Sequence, residues 1–139
     1  MTRVLVTGGS GFIGRQVLTA LMANGAEVHA SSRAGHAPGT GITWHRADVL
    51  DARSLNALVS DVRPEILLHL AWFATPPDYW RSPVNLRWTA ASLELAQAFV
   101  AAGGRRFVGA GTCAEYQWGP SPCVENVTPL RPATGDGHC

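Results

Sequence analysis

The stretch "RVLVTGGSGFIGRQVLTALMANG" constrains the fold of this chain more than any other. Arg3 to Thr7 is a short β-branched run closed by glycines, which reads as a buried strand. Beyond the glycines, Phe12, Val17, Leu18, Leu21 and Met22 recur at helical spacing, and Gly25 supplies the stop. A strand that runs through a glycine turn directly into a helix points to an α/β protein. The helix lies back across the strand, and the next strand runs parallel to the first.

The rest of the sequence repeats that alternation. "EVHASS" reads as a second strand, "RAGHAPGTG" as a Gly/Pro loop and "ITWHRA" as a third strand. Asp51 caps a helix through Leu55, Leu58 and Val59 that ends near Pro64. "EILLHLAW" is apolar throughout, which suits a central parallel strand covered on both faces. Ser82 and Pro83 then offer a cap and a first-turn proline to a helix bearing Val84, Trp88, Ala91, Leu95 and Phe99 on one side. Gly103 and Gly104 end that helix, "RRFVGAG" is the fifth strand, and the segment from Cys113 onward has no clear period. At 139 residues the expectation is one domain, residues 1–139.

Composition removes several function classes. With a net charge of +1 and no basic run, nothing points to nucleic acid or an anionic membrane surface. No stretch approaches the roughly 18 apolar residues of a membrane span, and the early apolar run is too short for a signal peptide. Cys113, Cys123 and Cys139 form no CxxC pair, so reduced thiols in a cytoplasm are expected, with no metal site.

Gly8, Gly11 and Gly14 stand at GxxGxxG spacing after a strand and at the start of a helix. Glycine there permits a tight turn and lets backbone N–H groups approach a pyrophosphate at the helix N-terminus. The alternative is a glycine turn that serves packing alone. At the end of the second strand, an NAD site usually carries a carboxylate for the ribose 2′-hydroxyl. Here Ser31, Ser32 and Arg33 follow one another with no acid, and a guanidinium suits a 2′-phosphate. The reading is NADP(H) over NAD(H); its alternative is a solvated surface arginine. Asp48 either accepts from the adenine amino group or serves a turn.

These residues resemble the extended short-chain dehydrogenase/reductase family, in particular NAD(P)-dependent epimerases, dehydratases and reductases of nucleotide-activated sugars. "TGGSGFIG" is similar to that family's phosphate loop, with Phe12 and Ile13 inside it. "RADVLD" resembles the adenine-side turn, at Asp48 and Val49. "HLAW" resembles the loop beside the nicotinamide ribose, at Leu70, Ala71 and Trp72. "FVGAGTCAEY" and "TPLRPAT" look most like a subgroup of nucleotide-sugar 4-ketoreductases and epimerases. The resemblance implies a Rossmann-type parallel sheet of order 3-2-1-4-5. It also implies that only the N-terminal part is present, without the last strands and the substrate domain.

The family's chemistry, as the resemblance implies it, uses a Ser/Thr, a Tyr and a Lys, the last two as Tyr-x-x-x-Lys. Thr112 matches the Ser/Thr that orients a carbonyl. The tyrosine position, two residues beyond Thr134, holds Asp136, and the lysine position is the one after Cys139. An aspartate of pKa about 3.9 replaces a phenol of about 10 that a lysine would draw downward. Impaired catalysis is therefore expected. Tyr116 is the substitute proton donor to consider, against an ordinary substrate-side or core tyrosine. His69 reads as a hydrogen-bonded core residue, Glu115 as a solvated strand-end carboxylate, and Trp72, Trp80, Trp88 and Trp118 as packing residues. The resemblance also implies a homodimer through the Trp88 helix. Two other readings stay open here: a cofactor-sensing or partner-binding module, and a truncated gene product without activity.

Overall fold

The first strand, β1 (Arg3–Thr7), forms the middle of the sheet because its three central residues find cover on both faces. Val4, Leu5 and Val6 are at most 2% exposed. The computed structural model describes residues 1–35 and 41–134. After β1 come α1 (Phe12–Ala23), β2 (Glu27–Ser32), β3 (Ile42–Arg46), α2 (Ala52–Val62), β4 (Ile66–His69), α3 (Val84–Ala101) and β5 (Arg106–Gly109). Single turns of 3₁₀ helix lie at Asp78–Trp80 and Cys113–Glu115. All strand pairings are parallel, as the alternation requires, and the order is β3-β2-β1-β4-β5, as the family resemblance implies. Most of the Gly/Pro loop expected between β2 and β3, at 36–40, lies outside the described residues.

The residues gather into two compact units. One comprises 1–72 and 90–110 and holds the sheet; the other comprises 73–89 and the chain from Gly111 onward, so the division falls within α3.

In the sheet unit, strand alternation sorts side chains to two faces. Val4, Val6, Val28 and Ala30 pack with Leu18 of α1, flanked by Val17, Leu21, Met22 and Trp44. Arg3, Leu5, Thr7, Leu67 and His69 point the other way. Arg3 Nη1 donates to the Val62 carbonyl oxygen at 3.1 Å, and His69 Nε2 meets Ser92 Oγ at 2.8 Å, which places the end of α2 and the middle of α3 on that face. Leu55, Leu58, Val59, Val62, Leu95 and Phe99 close this second layer and are all buried. The expected Asp51 cap forms: its side chain accepts from the Arg53 and Ser54 amides at 3.0 and 3.4 Å.

Two expectations of burial fail. The sequence reading groups Phe12 with the apolar residues of α1, yet it is 81% exposed. At about 100° per residue it lies about 140° round the helix from Val17 and about 180° from Leu21, on the face turned away from the sheet. Trp118 reads in the sequence as a packing residue, yet it is 59% exposed. Its ring meets Trp80 edge-on with centroids 6.0 Å apart, and its Nε1 donates to the Cys113 carbonyl oxygen at 2.9 Å.

Candidate functional site: the glycine turn and the strand ends

In a parallel sheet all strands deliver their carboxyl ends to one edge, so residues distant in sequence meet there. At the end of β1, Gly8 has φ +72°, and a Cβ on it would stand 2.7 Å from the Ala71 amide nitrogen. A Cβ on Gly14 would fall 2.8 Å from Gly9 Cα and strike the Gly8 carbonyl oxygen. Both glycines are therefore required: the first brings the turn against Leu70 and Ala71, the second lets α1 begin directly under it. Gly11 N donates to Gly8 O at 3.0 Å and closes the turn.

The N-terminus of α1 is left open. Gly11 is the capping residue and brings no side-chain cap, and the first turn contains no acidic residue. Its N–H groups and the positive end of the helix dipole are free to hold an anion. Phe12 and Ile13, 81% and 58% exposed, border it.

At the neighbouring strand ends, Ser32 pairs in register with Arg46, and Ala47 N donates to Ser32 O at 3.1 Å. Arg33, Arg46, Ala47, Asp48 and Ser54 line a cavity of about 370 Å³. Asp48 accepts the Leu50 amide at 3.0 Å through Oδ1, while its own amide donates to Ser54 Oγ at 3.3 Å, so it does serve a turn. Val49 is buried beneath. Sequence reasoning missed Arg46 and Ser54. The signal for Arg46 was its place as last residue of the third strand, but only the register sets it opposite Ser32.

His69 is buried at the end of β4, its Nδ1 2.6 Å from Thr7 Oγ1 and its Nε2 on Ser92. Burial lowers its pKa from 6.5 to about 4, so the ring is neutral near pH 7. The core reading of His69 holds.

In the second unit, Thr112 caps the Cys113–Glu115 turn, its Oγ1 accepting from the Ala114 amide at 3.2 Å. A hydroxyl that accepts in this way keeps its own proton to donate. Tyr116 is half-buried and bridges Leu130 in antiparallel fashion. Partial burial first, and then the charges of Glu115, Glu125 and Cys123, push its phenol above the usual 10. Separately, Pro77, Trp80, Arg81, Ser82, Pro83, Trp118 and Thr134 line a cavity of about 650 Å³. Asp136 lies outside the described residues.

A glycine turn between a central parallel strand and an uncapped helix, with the neighbouring strand ends converging beside it, defines a nucleotide-binding α/β domain. The chain belongs to the NAD dependent epimerase/dehydratase family, whose sequence model matches residues 4–135. It is 34% identical over 138 residues to the 3-diazoavenalumate denitrifying reductase of a Streptomyces species, covering 92% of this chain and 43% of that protein. It is 37% identical over 79 residues to the dTDP-L-rhamnose 4-epimerase of Burkholderia thailandensis, covering 50% of this chain and 22% of that one. Among solved structures, the UDP-glucose 4-epimerase of Thermus thermophilus in complex with NAD matches with TM-score 0.83 and 27% identity, over 99% of this chain and 47% of that one. The UDP-Glc/GlcNAc 4-epimerase of Campylobacter jejuni shares the fold with TM-score 0.86 at 19% identity, over 99% and 45%. The chain thus spans less than half the length of these relatives.

Proposed function

We propose that this chain is the NADP(H)-binding part of an oxidoreductase or epimerase acting on nucleotide-activated sugars, with weakened proton transfer. The observation that carries the cofactor choice is the end of β2, where Ser32 and Arg33 stand in place of a carboxylate. Bound dinucleotide would supply hydride exchange at its nicotinamide. In this reading the amides around Gly8, Gly11 and Gly14 and the start of α1 hold the diphosphate. Arg33 takes the 2′-phosphate, Asp48 and Val49 border the adenine, and Leu70, Ala71 and Trp72 border the nicotinamide ribose.

Thr112 would orient a substrate carbonyl with its free hydroxyl proton. Asp136 takes the tyrosine position, and an ionised carboxylate has no proton to give near neutral pH. Tyr116 is a weak substitute because its surroundings disfavour the phenolate. The Trp80–Trp118 cavity offers indole surface to a planar or sugar ring in the second unit. The absence of a CxxC pair in the sequence supports a reducing cytoplasm as its location, and among the described residues Cys113 and Cys123 are exposed thiols. We assign the exposed face of α3 to contact with a second copy.

Titration calorimetry with NADPH and NADH tests the cofactor reading, and NADPH absorbance with a nucleotide 4-ketosugar tests the chemistry. Tighter binding of NADPH is expected, with a loss of about 10-fold or more in Arg33→Ala and a flat absorbance trace. Equal affinity for the two cofactors would remove the NADP(H) preference. Turnover that vanished in Thr112→Ala would overturn the impairment and mean that another residue, Tyr116 first among them, supplies the proton.

A further inference from the structure

We infer that Arg46, the last residue of β3, is a second guanidinium of the cofactor's phosphate-monoester site and shares with Arg33 the choice of NADP(H) over NAD(H). The inference rests on the NADP(H) reading and extends it to a residue on a different strand. Three observations carry it. Arg33 and Arg46 line the same cavity of about 370 Å³, although thirteen positions separate them in the chain. Neither makes an ion pair with any described residue. Between the two strands, Ser32 Oγ is buried without a hydrogen-bond partner among the described residues.

The buried hydroxyl is costly without a ligand, since it loses its hydration for no return. The two exposed guanidiniums, on adjacent strand ends without an ion-pair partner, form a local positive field that favours an anion. The register Ser32↔Arg46 brings the hydroxyl and the second guanidinium to one place on the sheet, since paired residues on neighbouring strands share a face. Asp48 is the one carboxylate in the cavity lining; its Oδ1 accepts the Leu50 amide, and its single negative charge is outnumbered by the two guanidiniums. Ser54 Oγ, which accepts the Asp48 amide, retains a proton to donate. Two guanidiniums and the Ser54 hydroxyl in the lining, with the Ser32 hydroxyl behind them, suit a dianionic phosphate monoester, whose second pKa is about 6. The guanidiniums only donate, so they add nothing for the proton of a ribose 2′-hydroxyl.

Binding of NADP+, NAD+, adenosine 2′,5′-bisphosphate and inorganic phosphate is to be measured on the chain and on Arg33→Ala, Arg46→Ala and Arg46→Lys. Arg46→Ala should lose about 10- to 100-fold for NADP+ and for the bisphosphate, with NAD+ unchanged. Arg46→Lys should recover part of the loss, because a point charge remains without the planar fork. NADP+ affinity unchanged in Arg46→Ala but reduced in Arg33→Ala would discard Arg46 and leave the NADP(H) reading intact. An unsubstituted chain that shows no preference for NADP+ would end both. Equal losses for NADP+ and NAD+ would assign Arg46 a purely structural role. Inorganic phosphate competing as strongly as the bisphosphate would make the site one for free phosphate, and would also overturn the inference.

Discussion

Single residues in this protein act through burial more than through charge. His69 joins β1 to α3 through Thr7 and Ser92, and it does so as a neutral ring because burial holds its pKa at about 4. An unfolded histidine titrates near 6.5, so between those values the unfolded chain binds the extra proton. The stabilisation is therefore complete above about pH 6.5 and is lost as the pH falls toward 4. Urea unfolding at pH 7 and at pH 4.5 should show a loss on acidification that is larger in the unsubstituted chain than in His69→Gln, by roughly 2–3 kcal/mol. An equal loss in both would mean that other groups govern the acid limb. The apolar run around His69 marks it as a core residue, but its two partners, 62 and 23 positions away, are invisible in the sequence.

Whole elements are legible where their signals are local. The cap at Asp51, the glycine stop of α1 and the alternation in the strands all act within a few residues, and each produces its element. Asp51→Ala should lower stability by about 1 kcal/mol in urea melts, since two first-turn amides of α2 lose their acceptor, while Asp51→Asn should retain most of it. A neutral effect of the alanine change would mean that water replaces the cap at no cost. Helix faces are less legible. The apolar stripe on α1 runs from Val17 to Met22 as its spacing predicts, but Phe12, grouped with it as an apolar residue, lies about 140° round the helix from Val17 and stays exposed.

At the scale of the whole molecule, α3 has two apolar sides. Ala91, Leu95 and Phe99 are buried, whereas Leu86, Leu93 and Val100, seven positions apart, are 71%, 63% and 70% exposed. An exposed stripe of that spacing matches the seam by which helices pair, and large exposed apolar patches mark contact surfaces. Sedimentation over a concentration series should show self-association that Leu93→Glu weakens. A monomer at all concentrations, or an unaffected variant, would exclude this stripe as the contact.

Sequence alone determined the α/β class, the glycine turn and the family, because each depends on spacings within one strand–helix unit or on short motifs in order; the strand order followed only through the family resemblance. Tertiary structure alone decided which residues share a cavity. Arg33 and Arg46 meet only because β2 and β3 pair in a register that no local pattern records. The same holds for exposure. Leu93 and Leu95 are leucines of one helix, yet Leu95 is fully buried and Leu93 is 63% exposed, because burial follows from what the rest of the chain brings opposite.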